Sequence, residues 1–392
     1  MLLSLALILL IGMFMGWFFK KIHLPSLTGM LITGIVLGPY VLNLIDGSIL
    51  NISADIRKIA LIIILTRAGL SLNIEDLKRV GRPAILMCFV PACFEILGMI
   101  LLAPKLLGIT TLEAAIMGAV VGAVSPAVIV PKMIKLMDEG YGHKHSIPQL
   151  ILAGASVDDV FVIVLFTAFT SLAQGGSVSI QSFINIPISI VIGVVVGLLV
   201  GHLMATFFKK VEIRDTAKVI IALSIAFILT SLEDSLANYI PFASLIAIMA
   251  IGVALQRNSL DLSKRLSAKF NKLWVGAEVF LFVLVGASVN INYALKAGIV
   301  TVILVALVLL FRMFGVMLCL IKTKLTKEER VFCMVAYTPK ATVQAAIGGV
   351  PLAMGLACGD IVLTVAVVAI LFTAPVGAFL IESLYKRLLK VD

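Results

Sequence analysis

The most constraining feature of this sequence is its succession of apolar runs, each about 20 residues long and separated by short polar connections. A helix of about 20 residues spans the hydrocarbon core of a bilayer, whereas barrel strands alternate apolar and polar residues. Hydrophobic residues make up 61% of the 392 residues and charged residues only 13%, about half the charged share of a soluble domain. The sequence therefore predicts an all-α polytopic membrane protein.

We predict about thirteen transmembrane helices joined by connections too short for an extramembrane domain. The first has no basic residue before it, unlike a secretory signal, and we interpret it as a retained span. The five cysteines lack metal spacing and are interpreted as packing residues, and no cofactor or enzymatic chemistry is predicted. The predicted segments are 2–18, 26–44, 57–73, 83–103, 112–135, 147–172, 183–207, 216–232, 239–256, 273–292, 297–321, 329–356 and 361–385.

The lysines and arginines are distributed unevenly between the two ends of these helices. The odd-numbered connections and the C-terminus carry 24 of the 31 basic residues, and the even-numbered connections carry four. Positive residues mark the cytoplasmic side of a membrane. We therefore predict a multi-pass protein of the inner (plasma) membrane with its N-terminus outside and its C-terminus in the cytoplasm. The net charge of +10 is explained by topology, and no nucleic-acid partner is expected.

Two pairs of short motifs indicate an internal repeat. Residues 69–74 (GLSLNI) resemble residues 286–291 (GASVNI) at an offset of 217, and residues 124–127 (VSPA) resemble residues 337–340 (YTPK) at an offset of 213. These motifs lie on segments 3, 5, 10 and 12, so segments 1–6 would correspond to segments 8–13. Corresponding segments, such as 3 and 10, are an odd number of crossings apart and so run through the membrane in opposite directions. This predicts inverted repeats of six helices, as in many secondary transporters.

Segments 5 and 12 also contain interior prolines, Pro126 and Pro339, each preceded by a short polar residue, Ser125 and Thr338. Proline removes a backbone donor and disrupts the preceding helical turn. The conservative interpretation is a simple kink. We favour unwound segments near the midplane, because exposed helix ends bind ions through their partial charges.

Asp158 and Asp159 are adjacent carboxylates in the middle of segment 6. Ionisable residues inside a membrane are costly and are candidates for function by default. Neighbouring buried carboxylates raise each other's proton affinity, so the pair is suited to holding either protons or a hard cation. We predict that Asp158 and Asp159 bind Na⁺ or Li⁺ and protons, with hydroxyl and carbonyl oxygens at the break, including Ser125, as further ligands.

Three further charges lie well inside the predicted helices. Glu95 and Arg312 occupy equivalent positions in the repeat, again 217 residues apart, and we predict an ion pair between them with either a structural or a transport role. Lys340 follows the second break and is expected to compensate the charge of helix carboxyl ends. Arg67 and Glu278 lie nearer segment ends, where snorkelling, a loop cap or an entry funnel are all open interpretations.

Two other patterns favour ordinary roles. Glycines 193, 197 and 201 form a face suited to close helix packing. His143 and His145 lie in the connection between segments 5 and 6, where loop histidines are more often inert than pH-sensing.

Taken together, three motifs resemble the NHA-type sodium/proton antiporter branch of the cation/proton antiporter superfamily. They are residues 125–131 (SPAVIVP), residues 157–159 (VDD) and residues 338–348 (TPKATVQAAIG), and the resemblance runs from about residue 24 to the end. It implies two crossed discontinuous helices, a homodimer, and Asp159 as the main binding residue with Asp158 as its partner. Arg312 matches a position where electrogenic relatives have a lysine, but arginine does not release a proton at physiological pH.

The resemblance also implies a division into a core domain and a dimerisation domain. Residues 1–103 would hold dimerisation helices 1–3 and the first core helix, and residues 112–172 the core helices with the first break and the aspartates. Residues 183–207 would form a linker helix, residues 216–292 the dimerisation helices of the second repeat, and residues 297–392 its core helices.

The predicted function is exchange of a monovalent cation for protons by alternating access. An intramembrane aspartyl protease would need its two aspartates on different helices, and a channel would want rings of charge or carbonyls. A K⁺/H⁺ antiporter or a sodium-coupled solute symporter of related fold remains the alternative. If two carboxylates serve one cation, exchange of two protons per cation would be electrogenic.

Overall fold

The computed structural model describes residues 1–71, 81–175, 180–236, 240 and 242–391, and these residues form eighteen helices and no β-strand. The predicted all-helical architecture is confirmed. The first nine helices are α1 (Leu2–Lys21), α2 (Ser26–Leu37), α3 (Gly47–Asn51), α4 (Ser53–Ser71), α5 (Arg82–Met87), α6 (Val90–Leu107), α7 (Thr111–Val121), α8 (Pro126–Asp138) and α9 (Ile147–Gly175). The remaining nine are α10 (Ile180–Lys210), α11 (Asp215–Leu236), α12 (Ser244–Asn258), α13 (Leu260–Ala287), α14 (Ile291–Cys319), α15 (Lys327–Ala336), α16 (Thr342–Ile347), α17 (Val350–Ala353) and α18 (Gly359–Leu388).

All thirteen predicted segments overlap these helices. Within the described ranges, nine helical segments are long and apolar enough to cross a membrane, and three shorter apolar helices accompany them. A helix satisfies its backbone hydrogen bonds internally, which is what a membrane requires of any spanning segment. Residues 72–74, the end of the first repeat motif, lie outside the described residues. The number of crossings stays a prediction.

By internal packing, the chain divides into two compact units. The first comprises Met1–Asp55, Asn73–Ala173 and Val279–Asp392, and the second comprises Ile56–Leu72 and Gln174–Glu278. The six helical segments predicted to form the core domain, segments 4–6 and 11–13, all belong to the first unit. A cluster of buried apolar residues in that unit includes Met87, Ile151, Phe332 and Ile381.

Segment 4 is interrupted where we predicted a continuous helix. Helix α5 ends at Met87, and α6 begins at Val90 with Pro91 in its first turn. Phe89 adopts φ −145°, far from the helical region. Because Pro91 has no N–H to donate, the chain starts a new helix here instead of continuing the old one.

Equivalent glycine contacts appear in the two halves of the chain and support the internal repeat. A Cβ atom on Gly69 would lie 2.2 Å from the carbonyl oxygen of Met249, and one on Gly286 would lie 2.1 Å from that of Leu31. The partner residues, Met249 and Leu31, are 218 residues apart, close to the offset of 217 between the glycines. Each unit therefore contains one helix pair that packs through an equivalent contact between a glycine and a backbone carbonyl.

A second symmetric contact joins α6 and α14 within the first unit. A Cβ on Gly98 would meet the ring of Phe311 at 2.7 Å, and one on Gly315 would lie 3.2 Å from the Cβ of Phe94. Both pairs are related by an offset of 217. These are the helices that carry Glu95 and Arg312, so the close approach brings the two buried charges together.

The predicted glycine face on α10 packs against α12 in the second unit. A Cβ on Gly193 would lie 2.6 Å from Ala243 O, one on Gly197 2.3 Å from Ala247 O, and one on Gly201 2.7 Å from the Cβ of Ala254. Small residues at this spacing let two helix backbones approach closely.

Substituting Gly286 with alanine is expected to destabilise the protein by about 1–3 kcal/mol, because the added methyl group overpacks a backbone contact. The matched control is Gly276→Ala on the same helix, where a Cβ meets nothing within 4 Å. That control should be neutral or slightly stabilising, since alanine has the higher helix propensity. Thermal unfolding of both variants in detergent measures the difference. Equal midpoints would contradict the close approach of α2 and α13.

Candidate ion-binding site

Both predicted helix breaks are present, and they contact each other. Four residues, 122–125, separate α7 from α8, and five residues, 337–341, separate α15 from α16. The Ser125 N–H donates a hydrogen bond of 2.8 Å to the carbonyl oxygen of Pro339. Ser125 is extended (φ −92°, ψ 110°) because it precedes Pro126, which occupies the first turn of α8. The two discontinuous helices therefore meet at their breaks.

Arg312, on α14, binds the carboxyl ends of both interrupted helices. Its Nε donates to Tyr337 O at 2.7 Å, after the end of α15, and its Nη1 donates to Gly122 O, after the end of α7. Carbonyls at a helix carboxyl end carry partial negative charge and lack intrahelical donors. Arg312 is fully buried, so its guanidinium neutralises two helix ends that water does not reach.

Two carboxylates compensate the charge of Arg312. Its Nη1 lies 2.8 Å from Glu95 Oε2, and its Nη2 lies 2.7 Å from Asp158 Oδ2. The predicted pairing of Glu95 with Arg312 is thus present, and Asp158 shares the same guanidinium. Glu95 Oε2 also lies 2.6 Å from Lys340 Nζ. The four side chains are each 0% exposed and form a neutral network of two acids and two bases, which we call the charge network.

The ammonium group of Lys340 binds a different partner from the one we expected. We assigned it to the helix carboxyl ends, but its ammonium group binds Glu95, and the helix ends are bound by Arg312. The reason is the shape of the two groups. A guanidinium presents five donors in a planar fork and reaches several acceptors at once, whereas an ammonium is a compact point charge.

The two adjacent aspartates have different surroundings. Asp158 Oδ2 accepts both Arg312 and the N–H of Val124, at 2.7 and 2.8 Å. Asp159 is also buried, at 8% exposure, and its Oδ1 has no hydrogen-bond partner among the described residues. A buried carboxylate without a compensating partner is costly, and it is stabilised by taking up a proton or a cation. Asp158 is therefore paired with a cation through its Oδ2, whereas Asp159 makes no ion pair in the described part of the chain.

Several other buried oxygens on or next to the breaks lack hydrogen-bond partners in the described part of the chain. They are Ser125 Oγ, Asp158 Oδ1, Thr342 Oγ1 and Gln344 Oε1. Thr338, by contrast, turns its hydroxyl back to Val335 O at 2.8 Å. The described residues contain no group of three or more His, Cys, Asp and Glu side chains placed to hold a metal. A cation at the aspartates would therefore need hydroxyl, amide or backbone oxygens as well.

The second break is held by a hydroxyl in the way that the first is held by Asp158. The N–H of Lys340 donates to Thr373 Oγ1 at 2.8 Å, and the N–H of Val124 donates to Asp158 Oδ2. Thr373 follows Asp158 by 215 residues, and Lys340 follows Val124 by 216. Helices α9 and α18 thus supply equivalent acceptors to equivalent breaks, and only one of the acceptors is ionisable.

The sequence matches the transmembrane domain of sodium/hydrogen exchangers over residues 5–387. The chain belongs to the sodium/hydrogen exchanger family. Sodium/hydrogen exchanger 9B2 of Homo sapiens is 31% identical over 386 residues, which cover 94% of this chain and 70% of that protein. Sodium/hydrogen exchanger 9B1 of Homo sapiens is 30% identical over 384 residues, covering 93% and 73%. The predicted resemblance to sodium/proton antiporters is confirmed, and the family is one of transporters.

A solved structure shares the fold of this exchanger. The sodium proton antiporter MjNhaP1 from Methanocaldococcus jannaschii superimposes with a TM-score of 0.85, covering 98% of this chain and 97% of that one. Its sequence identity is 20%, so the similarity concerns the architecture. The antiporter fold predicted from the motifs is confirmed, and the chain is a multi-pass membrane protein.

The remaining sequence candidates lie away from the charge network. Arg67 and Glu278 both belong to the second unit, where they interact electrostatically with each other. His145 Nδ1 lies 2.9 Å from Glu329 Oε1, at the start of α15, and His143 contacts Met137 O. These histidines link the connection after α8 to neighbouring residues and do not contact the aspartates.

Sequence reasoning missed three residues of this exchanger's site: Tyr337, Thr373 and Gln344. Gln344 is fully buried and donates to Val121 O at 3.2 Å and to Ala123 O at 2.9 Å. Gln344 is the one amide side chain in the apolar run 341–353. A polar side chain inside an apolar segment indicates a functional residue, as the buried charges do. Nothing in the sequence marks Thr373 or the carbonyl of Tyr337.

Removing Glu95 alone is expected to destabilise the exchanger by about 3–5 kcal/mol, because it leaves Lys340 buried without its carboxylate. The double variant Glu95→Gln/Lys340→Gln removes one acid and one base and should unfold closer to the wild type than either single variant. Thermal melts of the purified variants measure this. Lys132→Gln, which breaks a partly exposed pair with Glu382, is the control and should cost less than about 1 kcal/mol. Additive losses would show that Glu95 and Lys340 are not partners.

Proposed function

We propose that this chain exchanges Na⁺ for protons by alternating access, with Asp159 taking up the cation and the proton in turn. The observation that carries the proposal is the contrast between the two aspartates. Asp158 is held by Arg312 and a backbone N–H, whereas Asp159 Oδ1 is buried without a hydrogen bond in the described part of the chain. One carboxylate is left to bind an exchangeable ion.

The chemistry of the surrounding groups supports a hard monovalent cation. Ser125 Oγ, Asp158 Oδ1 and the oxygens of the break provide neutral and anionic oxygen ligands, which suit an alkali cation at a broken helix. The charge network is neutral by itself. A cation or a proton on Asp159 therefore compensates the one remaining charge, and the two compete because they neutralise the same carboxylate.

The membrane setting is proposed from the charge pattern. The bias of basic residues to one set of connections supports an N-terminus outside and a C-terminus in the cytoplasm of the inner (plasma) membrane. Homodimerisation through the dimerisation domain is proposed from the family resemblance. Segments 1 and 2, which we assigned to that domain, belong to the same compact unit as the core segments, so the domain boundary stays a prediction.

The stoichiometry is a separate proposal. Two protons per cation would make exchange electrogenic, as two adjacent carboxylates allow. Arg312 does not release a proton at physiological pH, so the second proton would be carried by another titratable member of the charge network, Asp158, Glu95 or Lys340. Exchange by proteoliposomes under an imposed membrane potential decides this. A rate indifferent to potential would indicate exchange of one proton per cation.

Asp159→Asn is expected to abolish exchange while the protein still folds, because an amide neither titrates nor carries charge. The measurement is proton flux into proteoliposomes on addition of NaCl, LiCl or KCl, which also identifies the cation and separates Na⁺/H⁺ from K⁺/H⁺ exchange. Asp360→Asn, at an exposed carboxylate in the first turn of α18, is the matched control and should retain wild-type flux. Wild-type rates in Asp159→Asn would defeat the assignment.

The apparent affinity for Na⁺ is expected to weaken as pH falls, because protons and cations occupy the same site. When one proton competes with one cation, the apparent KM rises about tenfold for each pH unit below the pH at which the site titrates. The rate at fixed Na⁺ should be bell-shaped in pH, since protons no longer reload the site at high pH. Initial rates over a matrix of pH and Na⁺ concentration measure both effects. A KM that does not change with pH would exclude a shared site even if Asp159 is essential.

A further inference from the structure

A single peptide group at the centre of the first break is held from both sides. The peptide joining Ala123 to Val124 donates its N–H to Asp158 Oδ2 at 2.8 Å. Its carbonyl oxygen accepts the side-chain amide of Gln344 at 2.9 Å. The N–H and the C=O belong to one planar, rigid unit, so Gln344 and Asp158 act on opposite ends of the same group.

Gln344 belongs to the second discontinuous helix, in the six-residue α16 that follows its break. Its amide nitrogen also donates to Val121 O at 3.2 Å, at the end of α7. The side chain is 0% exposed, so water does not replace these bonds. Gln344 thus ties the second discontinuous helix to two carbonyls of the first, on the side of the break away from Asp158.

Two physical effects connect Gln344 to the position of Asp158. Because the peptide is planar, fixing the carbonyl oxygen also fixes the direction of the Val124 N–H. Hydrogen bonds in a chain also polarise one another, so a donor on the Ala123 carbonyl makes the Val124 N–H a stronger donor. Both effects hold the Asp158 carboxylate where its Oδ2 also accepts Arg312.

We propose that Gln344 is a positioning residue for ion exchange: by holding the 123–124 peptide it directs the Val124 N–H at Asp158 and keeps the Asp158 carboxylate in place between Arg312 and the ion site. This inference rests on the proposed Na⁺/H⁺ exchange and extends it. It assigns to the second discontinuous helix a part in the geometry of the ion site at the first.

The test is the variant Gln344→Leu, which keeps the approximate size of the side chain and removes both donors. Without the bond to Ala123 the 123–124 peptide loses a fixed partner, and the Val124 N–H no longer holds Asp158 in place at the Na⁺ site. We expect the apparent KM for Na⁺ to rise about tenfold, the effect of weakening one hydrogen bond to a charged group. The maximal rate at saturating Na⁺ should be much less affected.

Gln149→Leu is the matched control in the same unit. Gln149 is half-buried, and its amide nitrogen contacts the sulfur of Met137 at 3.4 Å, away from the breaks. This variant should keep the wild-type KM and pH profile. It separates the loss of a glutamine amide in general from the loss of the bond to Ala123.

Gln344→Glu supplies a second variant, whose effect depends on pH. A protonated glutamic acid donates to the Ala123 carbonyl, whereas an ionised one repels the carbonyls of Val121 and Ala123. This variant should approach wild-type exchange on the acid side and lose it as pH rises. It also keeps the inference testable if Gln344→Leu does not fold.

The outcomes are distinct. A uniform fall in rate at every pH in both variants, with KM unchanged, would show that Gln344 is only structural and would overturn the inference. Wild-type profiles in both would do the same. Failure of the wild-type protein to move protons on addition of NaCl would instead refute the proposed function.

Discussion

The structure depends on how the backbone groups freed by two broken helices are satisfied without water. Each unpaired N–H or C=O buried in an apolar environment costs several kcal/mol, so two adjacent breaks would be prohibitive without partners. Here the partners are side chains from other helices. Arg312 takes a carbonyl from each break, Gln344 takes two from the first, and Asp158 and Thr373 each accept an N–H. The breaks also bond directly to each other through Ser125 and Pro339.

This solution explains why so much charge is buried. Two helix carboxyl ends are neutralised by a cation, Arg312, and a buried cation in turn requires carboxylates. The net charge of the buried groups is zero only when Glu95, Asp158 and Lys340 are all present. A buried ion pair contributes little net stability by itself, but removing one member is strongly destabilising. The charge network is therefore primarily the consequence of breaking two helices. The carboxylate outside it, Asp159, is the one whose charge the rest of the network does not compensate.

The sequence was sufficient to predict features that are encoded locally. Apolar run length predicts helices because the bilayer sets their span, and Pro126 and Pro339 predict breaks because a missing N–H acts on its own helix. The binding of the helix carboxyl ends by Arg312, where we expected Lys340, could not be predicted, since long side chains reach acceptors on other helices. Thr373 was missed for a similar reason: a threonine in an apolar helix commonly bonds to its own preceding turn. Pro91 itself was the cue for the interruption of segment 4, but we interpreted segment 4 as one continuous helix.

The internal repeat gives this chain two similar halves, and its ion chemistry depends on where they differ. Glycine contacts, break positions and backbone acceptors recur at offsets of 213–218. Asp158 and Thr373 perform the same task for the backbone, yet only Asp158 responds to protons, and only its half carries a second carboxylate next to it. Glu95 and Arg312 occupy equivalent positions with opposite charges and so neutralise each other across the repeat. Duplication would build a symmetric scaffold with two hydrogen-bonded breaks, and these few substitutions would confine the titratable site to the first break. The second break then supplies fixed support to that site, through Arg312 on the Tyr337 carbonyl and through Gln344 on the Ala123 carbonyl.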